Sequence, residues 1–436
     1  MNFEPIAPGR KPVVVTPGDG LADLPLWCAQ NRDWIRQAVL DGGGLLLRGF
    51  DVCGARDLER FSVMVTENFM GYQDRASKRS PVAGNVLTST DSPASYSIQL
   101  HSESTFTSRW PRHIIFHCTQ PAEQGGCTPI ADVRAVYDRI SAEVRSKFEE
   151  LGILYVRNFG YGPGMDWRDT FQVANEHELE EYAHSAGINL EWVEGGKLRT
   201  SQRRPAVVTH PATGALCWFN HAAVLHYTAL EDGLRETLLR QNGEHNLPHN
   251  TYYGDGSPIE PAAMQQIRDA YEQEAMRFAW QKGDILMLDN ISMAHGRDPF
   301  RGDREVLVTM ADPVTWSEVE HSAVVSPSEP NRATADMISE APAAKVTEAS
   351  GEPALVTVDA GMTALFIDVL DLKDLDLDAD WIVLGGDSVS AARLVTRVEE
   401  LWGVDLPMEE IFDAVSLREL TAVVAAIRSQ DTDSNC

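Results

Sequence analysis

The sequence predicts a mainly β unit of sandwich or barrel type with some helices, followed by a small all-α bundle. Three observations lead there. Through the first three hundred residues, apolar runs of strand length recur between turn signals: 12–15, 45–47, 112–118, 153–156, 206–208, 283–289 and 305–311. From about 312 to 354 the chain turns rich in Ser, Ala, Pro and Glu, with few aromatics, the composition of a flexible linker. Beyond 354, apolar residues return at helical spacing in the stretches 354–372, 388–401 and 417–427.

The elements follow in order. The strand 12–15 is succeeded by an amphipathic stretch at 33–40, three glycines at 42–44 and the buried-strand run Leu45-Leu46-Leu47. A helix is expected over 57–69. The Ser-, Thr- and Pro-rich segment 80–111 reads as a loop leading into a strand that carries His101. The periodicity of Val133, Val136, Tyr137, Ile140, Val144 and Phe148 predicts one long helix over 131–151. Between 165 and 280, helical and strand-like patches alternate. Many short strands with some helices fit a sandwich or barrel better than a parallel doubly wound sheet. The expected division is 1–312, a linker at 313–353, and a helical domain at 354–430.

Composition bounds the function. A chain of 436 residues is long enough for two or three domains, and 43% apolar content with ten Trp supports a sizeable core. The formal charge of -28 argues against nucleic acid, which requires clustered Lys and Arg. From Glu352 onward 18 Asp and Glu face 5 Lys and Arg, which marks the C-terminal module as separately acidic. The six cysteines lack C-x-x-C spacing and read as buried or free thiols, although Cys118 and Cys127 flank a turn across which they can meet. No membrane span and no secretory signal are evident, so a soluble cytoplasmic protein is expected.

The chemistry starts from Leu100-His101-Ser102-Glu103-Ser104. In a strand, His101 and Glu103 share a face, and one more His would complete the 2-His-1-carboxylate set that holds iron(II) with open positions. Of the twelve histidines, His295 has the most suggestive setting: a strand and turn at 283–290 before it, and Arg304 soon after. An arginine there suits a carboxylate gripped through two hydrogen bonds. Taken singly, each of these residues has an ordinary reading as a solvated, hydrogen-bonded or salt-bridged side chain.

Together the stretches LHSESTF, PAEQGGCTPIADVRAVY, YVRNFGYG, HPATGALCWFN, YYGDGSPI and GDILMLDNISMAHGRDPFRGDREVLVTM resemble the taurine dioxygenase-like (TauD/TfdA) iron(II)/2-oxoglutarate oxygenases. The similarity is greatest to the SyrP-like branch of nonribosomal peptide pathways and spans residues 12–312. It implies a double-stranded β-helix, or jelly roll. It also implies His101, Glu103 and His295 as iron ligands, and Thr128 and Arg304 as anchors for the far carboxylate of 2-oxoglutarate. Glu103 stands where many relatives have Asp and where halogenating relatives have a small residue, so oxygen transfer is expected. Val308 stands where a taurine-type enzyme would place a second arginine. Arg297 is expected at substrate, at the nearer 2-oxoglutarate carboxylate or in a salt bridge. Asn158, Asn220 and His221 are expected to line the pocket or to serve the core, and Trp218 and Phe219 to be core.

Leu384-Gly385-Gly386-Asp387-Ser388 precedes an apolar-faced helix bearing Val389, Ala392, Val395 and Val398. A serine at a helix N-terminus is well placed for an attached phosphate, because free N–H groups and the helix dipole favour negative charge. The stretch resembles the carrier-protein motif, which makes Ser388 the attachment point of 4'-phosphopantetheine and 354–430 an acyl or peptidyl carrier. An oxygenase fused to a carrier implies O2 and a tethered aminoacyl thioester as substrates. It also implies a phosphopantetheinyl transferase, an adenylation or other loading enzyme and further synthetase modules as partners. A linker of about 40 residues reaches about 35 Å by random-coil scaling, giving an effective concentration on the order of millimolar. The expectation is hydroxylation of a carrier-bound amino acid at Cβ. Two alternatives stand beside it: hydroxylation or desaturation of a free amino acid, and a docking scaffold with an inactive oxygenase domain.

Overall fold

The computed structural model describes residues 1–325 and 358–433, apart from short stretches at 8–9, 19–22, 161–164, 194–195, 231–234, 237, 241–242, 371–374, 380, 382–383 and 385–387. Its largest sheet has eight strands in the order Asn2–Ala7, Arg10–Thr16, Gly44–Leu47, Ile285–Asp289, Arg109–Gln120, Glu305–Thr315, Val86–Thr88 and Pro81–Ala83. Neighbours are antiparallel except Arg10–Thr16 with Gly44–Leu47. The strands Gly44–Leu47 and Ile285–Asp289 are buried at every position, because both faces of the sheet centre are covered.

Side-chain alternation divides the sheet cleanly. Leu45, Leu47, Ile115, Met287 and Leu307 pack against Ile35 and Val39 of helix Leu24–Gly42 and Leu58 and Phe61 of helix Gly54–Val65. Leu46, Ile114, Phe116, Leu286, Leu288, Val306 and Val308 point the other way, onto Ile130 and Met293. Those two residues belong to a three-stranded sheet ordered Ile98–His101, Met293–Arg297, Ile130–Asp132. Two sheets face to face across an apolar seam make the jelly-roll core, as expected. A four-stranded sheet, Ile188–Val193, Lys197–Arg204, Ile153–Phe159 and His249–Tyr253, extends it.

Several boundaries shift for local reasons. The helix expected at 33–40 starts at Leu24, where the Asp23 carboxylate accepts from the backbone N–H of Leu26 and Pro25 occupies the first turn. The helix expected over 131–151 is two helices, Val133–Arg139 and Ala142–Leu151; the hydroxyl of Ser141 caps the second. The loop expected over 80–111 contains the edge hairpin Pro81–Ala83 with Val86–Thr88. The expected boundary at 312 falls inside the strand Glu305–Thr315, and Glu320–His321 pairs with Val208 and Thr209. The first unit therefore continues through the start of the expected linker; residues 326–353 of that linker lie outside the described residues. Cys28, Cys53, Cys118, Cys127 and Cys217 are free thiols.

The C-terminal helices are Val358–Leu370, Ser388–Trp402, Met408–Asp413 and Leu417–Asp433. Helix Ser388–Trp402 buries Ala391, Leu394, Val395 and Val398, the i, i+3, i+4, i+7 stripe of a helix with one apolar face. They meet Met362, Phe366, Ile411, Leu420 and Val424. Deleting one such side chain, as in Leu394→Ala, costs about 2–5 kcal/mol. The helix opens at Ser388, as expected; residues 385–387 and the side chains of Ser388, Val389 and Ala392 lie outside the described residues.

Candidate metal centre

Strands Met293–Arg297 and Ile98–His101 pair so that His295 stands opposite His101, with ring centroids 4.6 Å apart. The close approach depends on Gly296, where a Cβ would stand 2.5 Å from the carbonyl oxygen of Ile98. The strand ends at His101, so Glu103 lies in the turn beyond it and the shared-face argument does not place it. Asn290 does. Its Oδ1 accepts from the backbone N–H of Glu103 at 2.6 Å, while its Nδ2 donates to the carbonyls of Glu103 at 3.0 Å and Pro111 at 2.9 Å. Ser104 then takes a positive φ of 59° and turns the chain back. One ligand atom from each of His101, Glu103 and His295 lies within 4.8 Å of the others.

The protonation states suit a cation. Nδ1 of His101 lies 2.8 Å from the carbonyl of Gln99, which can only accept, so Nδ1 carries the proton and Nε2 keeps its lone pair. Burial, then the neighbouring His295, lowers His101 to about 4. Burial would raise Glu103, but the charge of Arg79 and the contact with His295 hold it well below the usual carboxylate range. Nη2 of Arg79 donates to Oε2 of Glu103 at 2.6 Å, and the same Oε2 lies 3.6 Å from Nε2 of His295. Two imidazoles and an ionised carboxylate form a donor set that fits iron(II).

A second polar group sits beside the first. Ile130 stands opposite His295, and two residues earlier is the buried Thr128. Nη2 of Arg304 reaches Thr128 Oγ1 at 3.4 Å, and Nε donates to the carbonyl of Gly126 at 3.0 Å. Trp280 Nε1 also donates to Thr128 Oγ1, at 2.9 Å. Gly126, at φ +67°, makes room: a Cβ would stand 3.0 Å from Cδ of Arg304. Among the described residues no carboxylate pairs with Arg304, and burial lowers its pKa. A half-buried guanidinium beside a threonine hydroxyl has the donor chemistry that suits a carboxylate.

The family model for the taurine catabolism dioxygenase TauD, TfdA family matches residues 2–310. The chain belongs to the TauD/TfdA family. A phosphopantetheine attachment site model matches residues 361–424. The dapdiamide synthesis protein DdaC of Enterobacter agglomerans is 37% identical over 287 residues, which are 66% of this chain and 87% of that protein. A clavaminate synthase-like protein of Arabidopsis thaliana is 29% identical over 291 residues, 64% of this chain and 84% of that protein. The non-canonical nonribosomal peptide synthetase CymA of Salinispora arenicola is 34% identical over 61 residues, 14% of this chain and 1% of that protein. This TauD/TfdA protein is a 2-oxoglutarate-dependent dioxygenase that uses iron(II), with a carrier domain that bears phosphopantetheine. No helix among its described residues is long and apolar enough to cross a membrane.

The remaining candidates separate by what they touch. Of the pocket candidates, His221 reaches the centre: its ring lies 5.0 Å from that of His101, and its Nδ1 shares a 2.6 Å hydrogen bond with Thr105. Burial, then His101, holds His221 well below the usual imidazole range. Asn158 donates to the carbonyls of His245 and Leu247, and Asn220 to that of Ala206, so both hold backbone. Trp218 and Phe219 are buried core. Arg297 meets no carboxylate among the described residues; it donates to the carbonyls of Ser92, Pro93 and Tyr96 and pins that loop. Two residues that sequence reasoning missed are Arg79 and Asn290. Arg79 stands at the edge of an aperiodic polar stretch that gives no signal. Asn290 closes the strand-and-turn motif before His295, where the motif marks a turn but not what the side chain holds.

Proposed function

We propose that this TauD/TfdA enzyme hydroxylates, at Cβ, an aminoacyl group held as a thioester on a carrier arm in a nonribosomal peptide or hybrid pathway. The observation that carries the reading is a single chain with a 2-His-1-carboxylate cluster and a phosphopantetheine-type carrier. In this reading His101, Glu103 and His295 are the iron ligands, Thr128 and Arg304 hold the far carboxylate of 2-oxoglutarate, and Ser388 bears the arm. Iron(II) with 2-oxoglutarate and O2 supplies the power to oxidise an unactivated C–H bond. The residues of the chain fix geometry. The hydrogen bond to Gln99 aims Nε2 of His101 inward, Asn290 fixes the backbone of Glu103, and Arg79 keeps its carboxylate ionised. The buried turn from Ser102 to Thr107 keeps bulk water off one side. A phosphopantetheinyl transferase, a loading enzyme and further synthetase modules in the cytoplasm complete the setting.

Intact-protein mass spectrometry tests it. The holo chain, loaded with a panel of aminoacyl groups and supplied with iron(II), 2-oxoglutarate and O2, gains the mass of one oxygen for at least one of them. No gain across the panel, with free amino acids turned over instead, overturns the reading. One feature favours that second reading: among the described residues, Nε and Nη1 of the buried Arg79 have no hydrogen-bond partner, a place for a free carboxylate. Comparing Ser388→Ala with the parent on free and tethered substrates separates the two. An inactive scaffold is excluded if iron-dependent succinate is formed.

A further inference from the structure

The carrier helices do not stand clear of the oxygenase. Leu238 and Leu247, both from the first unit, are buried in the same apolar cluster as the carrier core of Met362, Phe366, Leu394 and Val398. Tyr227, Leu230 and Leu239 pack against the cluster from the same segment. Charge is matched beside it: Nη1 and Nη2 of Arg240 donate to the two carboxylate oxygens of Glu399 at 2.9 and 2.6 Å, a bidentate fork. At a separate point the guanidinium of Arg393 lies 4.3 Å from the ring centroid of Tyr96. Glu399 and Arg393 belong to the helix that opens at Ser388.

Both contact points continue directly into the metal centre. Tyr96 is five residues before His101, in the loop whose carbonyls receive Arg297, and Arg297 is two residues after His295. Tyr227 is six residues after His221, whose ring meets that of His101. Between them, Gln99 donates to the carbonyl of Ala229. Asn158 fixes the far end of the segment through the carbonyls of His245 and Leu247, and Asn250 accepts from the N–H of Tyr227.

We propose that Tyr227, Leu230, Leu238, Leu239, Arg240 and Leu247, with the Tyr96 loop, form a docking surface for the carrier of the same chain, so that Ser388 delivers its thioester to the iron centre in cis. The proposal rests on the tethered-substrate reading above. The occupant is fixed by complementarity: leucines meet the carrier's apolar core, and the Arg240 fork meets the Glu399 carboxylate. An intramolecular encounter at on the order of millimolar effective concentration needs only a modest contact, and an exposed ion pair supplies specificity more than affinity.

The test uses the full-length chain throughout. Hydrogen exchange of the apo chain reads docking without chemistry. Arg240→Glu and Glu399→Arg each speed exchange at 238–240 and in the helix Ser388–Trp402, and the double swap restores protection. In loaded holo protein each single reversal slows oxygen gain by roughly 5-fold or more with the 2-oxoglutarate KM unchanged, and the swap recovers it. Leu238→Asp, a harsher change, does the same without rescue. Delivery in cis is read by mixing unloaded Ser388→Ala protein with loaded His295→Ala protein at about 10 µM each. Oxygen gain then falls on the order of 100-fold below that of the parent. Exchange unaltered by either reversal, or a mixture as fast as the parent, overturns the proposal. If the parent itself gains no oxygen while the exchange results hold, the tethered-substrate reading fails and the docking surface stands.

Discussion

Arg79 donates a 2.6 Å hydrogen bond to Oε2 of Glu103, the same oxygen that lies 3.6 Å from Nε2 of His295. Both partners of the ion pair are buried, so the guanidinium balances a carboxylate that would otherwise be costly in the metal-free protein. Arg79→Met leaves Glu103 without that counter-charge. The metal-free variant is expected to lose about 3–5 kcal/mol of stability, the usual cost of breaking a buried pair from one side. A divalent cation then takes over the balancing charge, so anaerobic iron(II) raises the melting temperature of the variant more than that of the parent. Equal melting temperatures of the two metal-free proteins would show that the pair contributes nothing.

Asn290 grips Glu103 by both its backbone N–H and its carbonyl, without touching the carboxylate. Asn290→Ala is therefore expected to loosen the ligand turn and weaken iron(II) binding by about 10–100-fold, the range for groups that orient ligands. Glu103→Ala, which removes a donor, costs more. Anaerobic calorimetric titration of iron(II) gives both values. An Asn290→Ala affinity within twofold of the parent would remove this role.

The fold and the donor set were readable because their signals are local. Strand periodicity located the central sheet, and the stripe of Ala391, Leu394, Val395 and Val398 follows from the spacing of apolar residues. His101, Glu103 and His295 were named from motifs, yet the geometric reason differed: Glu103 is set by a turn and by Asn290, which is 187 residues away. Arg79 was illegible because its partner is 24 residues further along and it lies in a polar stretch without periodicity. The boundary near 312 was misplaced because Pro313 and the polar residues around it look like a linker. There the strand runs on at the margin of the sheet, paired only with Arg109–Gln120 at Pro313, Val314 and Thr315, and need not be apolar.

Thr128 and Arg304 approach each other within 3.4 Å, and neither meets a carboxylate among the described residues. If they hold the far carboxylate of 2-oxoglutarate, Arg304→Lys keeps the charge but loses the fork, so the substitution is not conservative. A charge-assisted hydrogen bond contributes about 1.5–3 kcal/mol, so the KM for 2-oxoglutarate should rise roughly 10–150-fold. Thr128→Val, isosteric but without the hydroxyl, should give a smaller rise. Succinate formation measured against 2-oxoglutarate concentration reads both. An unchanged KM in Arg304→Lys would move the anchor elsewhere.

His226 sets an acid limit on stability away from the candidate metal centre. It is buried, its Nδ1 accepts from the N–H of Thr228 at 3.3 Å, and burial followed by the charge of Arg268 lowers it to about 4. The unfolded chain binds that proton near pH 6.5, so below that pH the unfolded state holds more protons than the folded one. The stabilising contribution is complete above about 6.5 and is lost as pH falls towards about 4. At pH 5 the loss from this one group is on the order of 2 kcal/mol. His226→Gln, which does not titrate there, should show a smaller drop in melting temperature between pH 7.5 and pH 5 than the parent. Scanning both proteins at the two pH values checks it, and equal drops would mean that other groups carry the acid sensitivity.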